Sequence, residues 1–188
     1  MTRLQMLAAA WNGCQRCELW KVRNSFVFGR GRDHPRIVLM GEAPGRTEDL
    51  IGRPFGGAAG NMLREAEGEA GTISERYIMN VLGCRPPNNR PPRPVEVEAC
   101  RPRVVKMIEA LEARIIVSMG NTATKLLTGQ DGVTRMRGQT LPCVLDGITI
   151  PILPTYHPSA ALRKGGVGSV EYGHLVSDLK LALELAGG

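Results

Sequence analysis

Four cysteines have spacing that could hold a metal group. Cys14-Gln15-Arg16-Cys17 is a CxxC pair, and Cys84 and Cys100 stand with fifteen residues between them. Four thiolates can bind a tetrahedral zinc or an iron–sulfur cluster, and the spacing favours neither. A CxxC can also exchange disulfides, but no strand precedes this one as it would in a thioredoxin-type unit. Four unrelated buried thiols are the plain alternative. The fifth, Cys143, reads as a core thiol.

A second set is polar. Gly41-Glu42-Ala43-Pro44-Gly45 follows an apolar run and makes a tight loop whose amides can face a ligand. It is neither a GxGxxG nor a Walker sequence, so it gives no support to nucleotide-cofactor binding. Glu48-Asp49 and Gly52-Arg53-Pro54-Phe55 continue this glycine-rich stretch. Asn80 is a polar residue inside an apolar run, where it needs a buried partner or a ligand. His157 precedes Pro158, which biases it to extended backbone at a turn.

These residues need elements to position them. The apolar runs Ile37–Met40, Tyr77–Leu82 and Ile115–Met119 read as buried strands. Thr149–Thr155 is a weaker strand, broken by Pro151 and Pro154 and expected near an edge. Asp146-Gly147 suggests a hairpin between Leu141–Leu145 and Ile148–Ile152. Helical spacing covers Asn61–Ala70, Val95–Ala113, Asn121–Leu127 and Leu175–Leu185, with Gly120 or Asn121 as a cap. Strand–helix alternation predicts a parallel sheet with helices on both faces. Ligands of such sheets bind beyond the carboxyl ends of the strands, so segments starting at Gly41, Leu82, Gly120 and His157 should converge.

The chain has 188 residues, which suits one domain spanning 1–188. No apolar run approaches the ~20 residues of a membrane span, and Met1–Ala10 lacks the pattern of a signal peptide. A cytoplasmic protein without membrane association is expected. Net charge is +6, and Cys84–Lys106, with six basic and two acidic residues, supplies +4 of it. Five prolines and three arginines fall in the eleven residues from Cys84 to Pro94, an ordered loop rather than a helix or central strand. Such a loop suits a polyanion.

Taken jointly, these segments resemble the family-4 uracil-DNA glycosylases. Gly41–Gly45, Glu48-Asp49 and Gly52–Phe55 resemble that family's motif A. Asn80–Pro87 with Asn89-Arg90 resembles its central segment, and His157–Arg163 its motif B. Cys14, Cys17, Cys84 and Cys100 match its [4Fe–4S] ligand positions. The resemblance implies a three-layer αβα sandwich on a four-stranded, mainly parallel sheet. It implies hydrolysis of the N-glycosidic bond of flipped uracil in single- or double-stranded DNA, leaving an abasic site, by a monomer. It favours an iron–sulfur cluster over zinc. It implies that Phe55 stacks on uracil, that Asn80 pairs with its N3 and O4, and that His157 donates to O2 with help from amides near Glu42 and Ala43. Glu42 would position the attacking water and Glu48 would help exclude thymine. Leu162 and Arg163 would fill the vacated stack, while Arg85, Arg90, Arg93, Arg101 and Arg103 meet phosphates. Gly56, Arg46-Thr47 and Gly83 depart from the family pattern, and no base-reactive insert is recognisable between Gly129 and Gly138.

The rival reading is a non-catalytic nucleic-acid-binding relative that keeps the cysteines and the basic loop. Retention of Glu42, Phe55, Asn80 and His157 argues against it, since a pure binder has no use for a base pocket. A zinc-stabilised hydrolase of free nucleotides explains the arginine-rich loop poorly.

Overall fold

A computed structural model describes residues 1–187. Its centre is a six-stranded sheet: β1 (Arg30–Gly31), β2 (Ile37–Gly41), β3 (Arg76–Asn80), β4 (Ile115–Met119), β5 (Leu141–Pro142) and β6 (Pro151–Thr155), in the order β1-β3-β2-β4-β6-β5. The four inner strands are parallel, and β1 and β5 add antiparallel edges of two residues each. The expectation of four strands is therefore corrected to six. The additions are too short to leave a periodic signal in the sequence.

Alternation along the inner strands builds two cores. Val38, Met40, Tyr77, Met79 and Ile116 face one side, and Ile37, Leu39, Ile78, Ile115 and Val117 the other. On the first side lie α1 (Arg3–Asn12), α4 (Pro94–Leu111) and α5 (Asn121–Thr128), contributing Leu4, Met107, Leu111 and Leu127. On the second lie α3 (Ala58–Ala70), α7 (Pro158–Arg163) and α8 (Val170–Leu185), contributing Leu63, Ala161, Leu175 and Leu179. Two short helices, α2 (Arg46–Ile51) and α6 (Val133–Met136), complete the set. The result is the expected three-layer αβα arrangement. No helix among the described residues is long and apolar enough to cross a membrane.

Local chemistry sets the helix ends. Thr2 and Gln5 make a reciprocal capping box that starts α1. Pro94 opens α4 at a position where its missing N–H costs nothing, and the Glu96 carboxylate accepts from the Arg93 N–H at 2.8 Å. Asp146 and Gly147 both have positive φ (40° and 77°), as a type I′ turn requires. This turn closes the expected hairpin, although pairing reaches only Leu141–Pro142 against Pro151–Ile152.

Strand order determines where a ligand can sit. The chain leaves β2 through α3 on one face and leaves β4 through α5 on the other. Between these neighbouring strands the connections diverge and open a crevice at their carboxyl ends.

Candidate active site

The four strand-end segments converge on that crevice. Gly41 pairs with Asn80 across the β2–β3 register, and the Gly120 N–H donates to the Thr155 carbonyl at 3.0 Å. A cleft of about 460 Å³ opens there, lined among others by Glu42, Ala43, Gly120, Tyr156, His157 and Arg163.

Asn80 ends β3 and is 3% exposed. Its side-chain oxygen is buried and has no hydrogen-bond partner. A buried carbonyl without a donor costs on the order of 1–3 kcal/mol, so a ligand donor at this point would recover a real deficit. The Phe55 ring lies beside it. A Cβ on Gly41 would stand 2.6 Å from both Asn80 Oδ1 and Phe55 Cζ, and only glycine lets the two side chains close on the strand end. Phe55 itself is buried with φ at 51°, in the left-handed region that non-glycine residues rarely visit. Its ring centroid is 5.6 Å from that of His157, and the planes are tilted by 33°.

His157 caps α7. Its Nδ1 accepts from the Ser159 N–H at 3.2 Å and sits 2.8 Å from Ser159 Oγ, which in turn accepts from Arg163 at 3.2 Å. A ring nitrogen that accepts a backbone N–H carries no proton, so the proton of the neutral ring sits on Nε2. Desolvation of the ring, then the Arg163 charge, push its pKa down to about 4, against a smaller opposing pull from Glu48. At neutral pH His157 is an uncharged Nε2–H donor.

Glu42 follows β2 directly, and its carboxylate accepts from Thr122 Oγ1 on the first turn of α5. Glu48 is differently employed. Its two oxygens accept from the N–H groups of Gly45 (3.0 Å) and Gly57 (2.7 Å), tying together the loops on either side of α2. Asp49 anchors that helix from behind. It is buried and accepts from the backbone of Asn24 and Ser25 and from the Asn24 side chain.

The arginines divide. Arg103 is not a phosphate ligand. It is fully buried, donating to the carbonyls of Asn80 (2.5 Å), Val81 (2.9 Å) and Phe28 (3.2 Å) behind the pocket. Burial holds its pKa below the ordinary arginine value. Arg101 forks onto Asp146 at 2.8 and 2.9 Å, and Arg90 onto Glu96 at 2.5 and 2.9 Å. Arg85 donates to Asn89 and is partly exposed, Arg93 and Arg163 are exposed, and Leu162 is 37% exposed beside Arg163. Gly83 also finds its reason: a Cβ there would lie 2.5 Å from the Phe26 ring, which the Arg23 guanidinium covers at 5.1 Å.

All five cysteines are free. The thiols of Cys17 and Cys84 lie within electrostatic reach of each other and of Cys100, and Cys14 is within reach of Cys17. Burial pushes Cys84 up to about 11, against a hydrogen bond from Arg23 at 3.1 Å. The side chains do not close into a ligand shell: among the described residues no group of three or more His, Cys, Asp or Glu is disposed to hold a metal ion. Cys143 is half-buried against the first core, consistent with a packing role.

Sequence reasoning did not find Thr122, Ser159, Arg23 or the inward turn of Arg103. A hydroxyl near a helix start and an arginine in a basic loop give no hint of which partner the fold delivers.

Comparison with known proteins gives a consistent result. Residues 28–180 match the family model described as the Uracil DNA glycosylase superfamily. The chain is 42% identical over 155 residues to a type-4 uracil-DNA glycosylase of Thermotoga maritima, covering 80% of this chain and 78% of that one. It is 39% identical over 180 residues to one of Archaeoglobus fulgidus, covering 93% and 88%. It is 37% identical over 169 residues to one of Saccharolobus solfataricus, covering 86% and 78%.

Proposed function

The chain belongs to the uracil-DNA glycosylase superfamily, and on that premise we propose how its residues excise uracil from DNA. It is a glycosylase that hydrolyses an N-glycosyl bond. The observation that carries the site assignment is the partnerless oxygen of Asn80, buried beside Phe55 and near a neutral His157.

The target base leaves the stack at a cost of a few kcal/mol and enters the crevice. Phe55 stacks on it. Asn80 accepts from N3–H through Oδ1 and donates to O4 through Nδ2, a pattern cytosine reverses. As the bond to the sugar breaks, negative charge grows on the base, and His157 Nε2–H and the amides near Glu42 and Ala43 donate to O2. A donor that is already neutral and fixed costs no reorganisation at that moment. Glu42 orients water toward the sugar cation. Glu48 shapes the wall against a 5-methyl group by holding the Gly45 and Gly57 loops together.

We assign Arg85, Arg90, Leu162 and Arg163 to the DNA surface, with Arg90 held in place by Glu96. Residues 1–188 act as one domain, as a monomer in the cytoplasm, on single- or double-stranded DNA. The four thiols form an all-sulfur donor set, which suits soft metal centres, and Arg23 and Arg103 lie close enough to offset the charge of four thiolates. Cys14, Cys17, Cys84 and Cys100 would hold a [4Fe–4S] cluster, the group favoured by the family resemblance, with zinc the alternative. Its chemistry there is structural, fixing the proline-rich loop to the N-terminal segment. Visible absorbance with iron and sulfide analysis of anaerobically purified protein distinguishes the two.

The test of function is direct. Incubation with a uracil-containing oligonucleotide followed by alkali should break the strand at the uracil. Protein that binds the DNA yet never breaks it at any ratio would establish the non-catalytic reading instead. His157→Ala should slow single-turnover cleavage by about 10²–10³-fold, the usual loss for one preorganised donor to a developing anion, while leaving DNA affinity intact.

A further inference from the structure

Glu42 receives a side-chain hydrogen bond from Thr122 Oγ1, which reaches it across the crevice from α5. Thr122 stands 80 residues away in sequence and lies in none of the motif segments. The turn that carries it is clamped on several sides. Thr124 Oγ1 donates to the Gly120 carbonyl at 2.9 Å and lies 2.9 Å from Ser118 Oγ. The Asn121 side-chain oxygen accepts from the N–H groups of Gly132 and Val133. Gly120, which starts the turn, is itself bonded to Thr155 just ahead of His157. Thr122 is thus delivered to Glu42 by the same framework that sets the histidine.

We propose that Thr122 is a positioning residue for the attacking water, acting through Glu42. A carboxylate on a half-exposed loop can rotate, and either oxygen can present itself to solvent. With Oε2 bound to a hydroxyl on a fixed helix turn, Oε1 is the oxygen left for water, and its direction is set by the two strand ends rather than by the loop alone. The hydroxyl can donate only one proton, so its direction is committed to the carboxylate. The inference deepens the glycosylase reading and rests on it.

The experiment compares Thr122→Val, which keeps shape and removes the donor, with Thr122→Ser, which keeps the donor. Cleavage of a uracil oligonucleotide is measured under single-turnover conditions, and affinity is measured on DNA carrying a non-cleavable 2′-fluorinated deoxyuridine. Thr122→Val should lower the cleavage rate by about tenfold, the scale of one hydrogen bond to a charged group, with affinity and melting temperature unchanged. Thr122→Ser should recover most of the rate. In a Glu42→Gln background, Thr122→Val should add much less than it does alone. A wild-type rate in Thr122→Val, an equal defect in Thr122→Ser, or an undiminished defect in the Glu42→Gln background would each overturn the proposal. A wild-type protein that cleaves no uracil DNA would overturn the underlying glycosylase reading instead.

Discussion

His157 can serve as a neutral donor because its surroundings refuse the imidazolium. The pH consequence has a definite sign. Its pKa is about 4 when folded, against 6.5 ordinarily. Between these values the unfolded chain binds a proton that the folded chain does not, so folding weakens as pH falls through this window and the effect is complete below 4. Its full size is at most about 3 kcal/mol, from 1.36 kcal/mol per pKa unit. Thermal melts from pH 7 to 4 should show His157→Gln losing less stability than the wild type. Parallel curves would mean the ring titrates normally. At this scale Asn80, Phe55 and His157 are odd residues for their places, whereas Glu42 is singled out only by the family resemblance, which also supplies the roles of all four. Thr122, Ser159 and Arg103 do not stand out, since their significance lies in partners that arrive from distant segments. Glu48 was visible as a site residue, but not as the clasp between Gly45 and Gly57.

The strands Ile37–Met40 and Ile115–Met119 were legible almost residue for residue, because buried parallel strands are continuous apolar runs, whereas β3 starts one residue and ends two residues before the expected Tyr77–Leu82, and β6, broken by two prolines and expected near an edge, is covered on its outer side by β5. Helix α4 was nearly as plain, while α8 begins at Val170, five residues before the expected Leu175. What escaped were α1, ten residues with only Leu4 and Trp11 buried, and the short pieces. In α7 the cap is a histidine, which is not a customary capping residue, and α2 is only six residues long. The edge strands β1 and β5 show the same limit at two residues each. Element packing also explains why Arg103 was misassigned. In a proline- and arginine-rich segment, nothing marks which arginine of α4 faces inward, and the answer depends on how α4 lies against β3. Its guanidinium satisfies the Asn80 and Val81 carbonyls where the chain leaves the sheet. Arg103→Ala should therefore lower unfolding free energy by about 1–3 kcal/mol for each buried carbonyl it leaves without a donor, as read by urea titration. Arg103→Ala stability equal to the wild type would place the guanidinium in solvent instead.

For the whole molecule, the net charge of +6 is partly internal business. Arg101 and Arg103 are committed to protein partners and Arg90 is oriented by Glu96 with part of its guanidinium still exposed, which leaves Arg85, Arg93 and Arg163 as the arginines freest to meet phosphates. Arg85→Ala should flatten the dependence of log affinity on log salt by about 0.7–0.9, the effect of one phosphate contact. An unchanged slope would remove Arg85 from the interface. The general layout, two cores on one parallel sheet, followed from alternating strands and helices. The gathering of cysteines from three segments did not, because it depends on α1 lying against α4. That packing brings Arg3 to Glu109, 106 residues away, and Leu4 into the same apolar cluster as Met107 and Leu111. It carries a consequence for synthesis. A ribosome adding about 5–20 residues per second needs roughly 5–20 s after making Arg3 to supply its partner. During that interval Leu4 and Leu19 have no α4 to cover them, and the paired cysteines near the start wait for Cys84 and Cys100. The apolar face of α1 is thus made well before the helix that covers it, as that of α3 is made before α8.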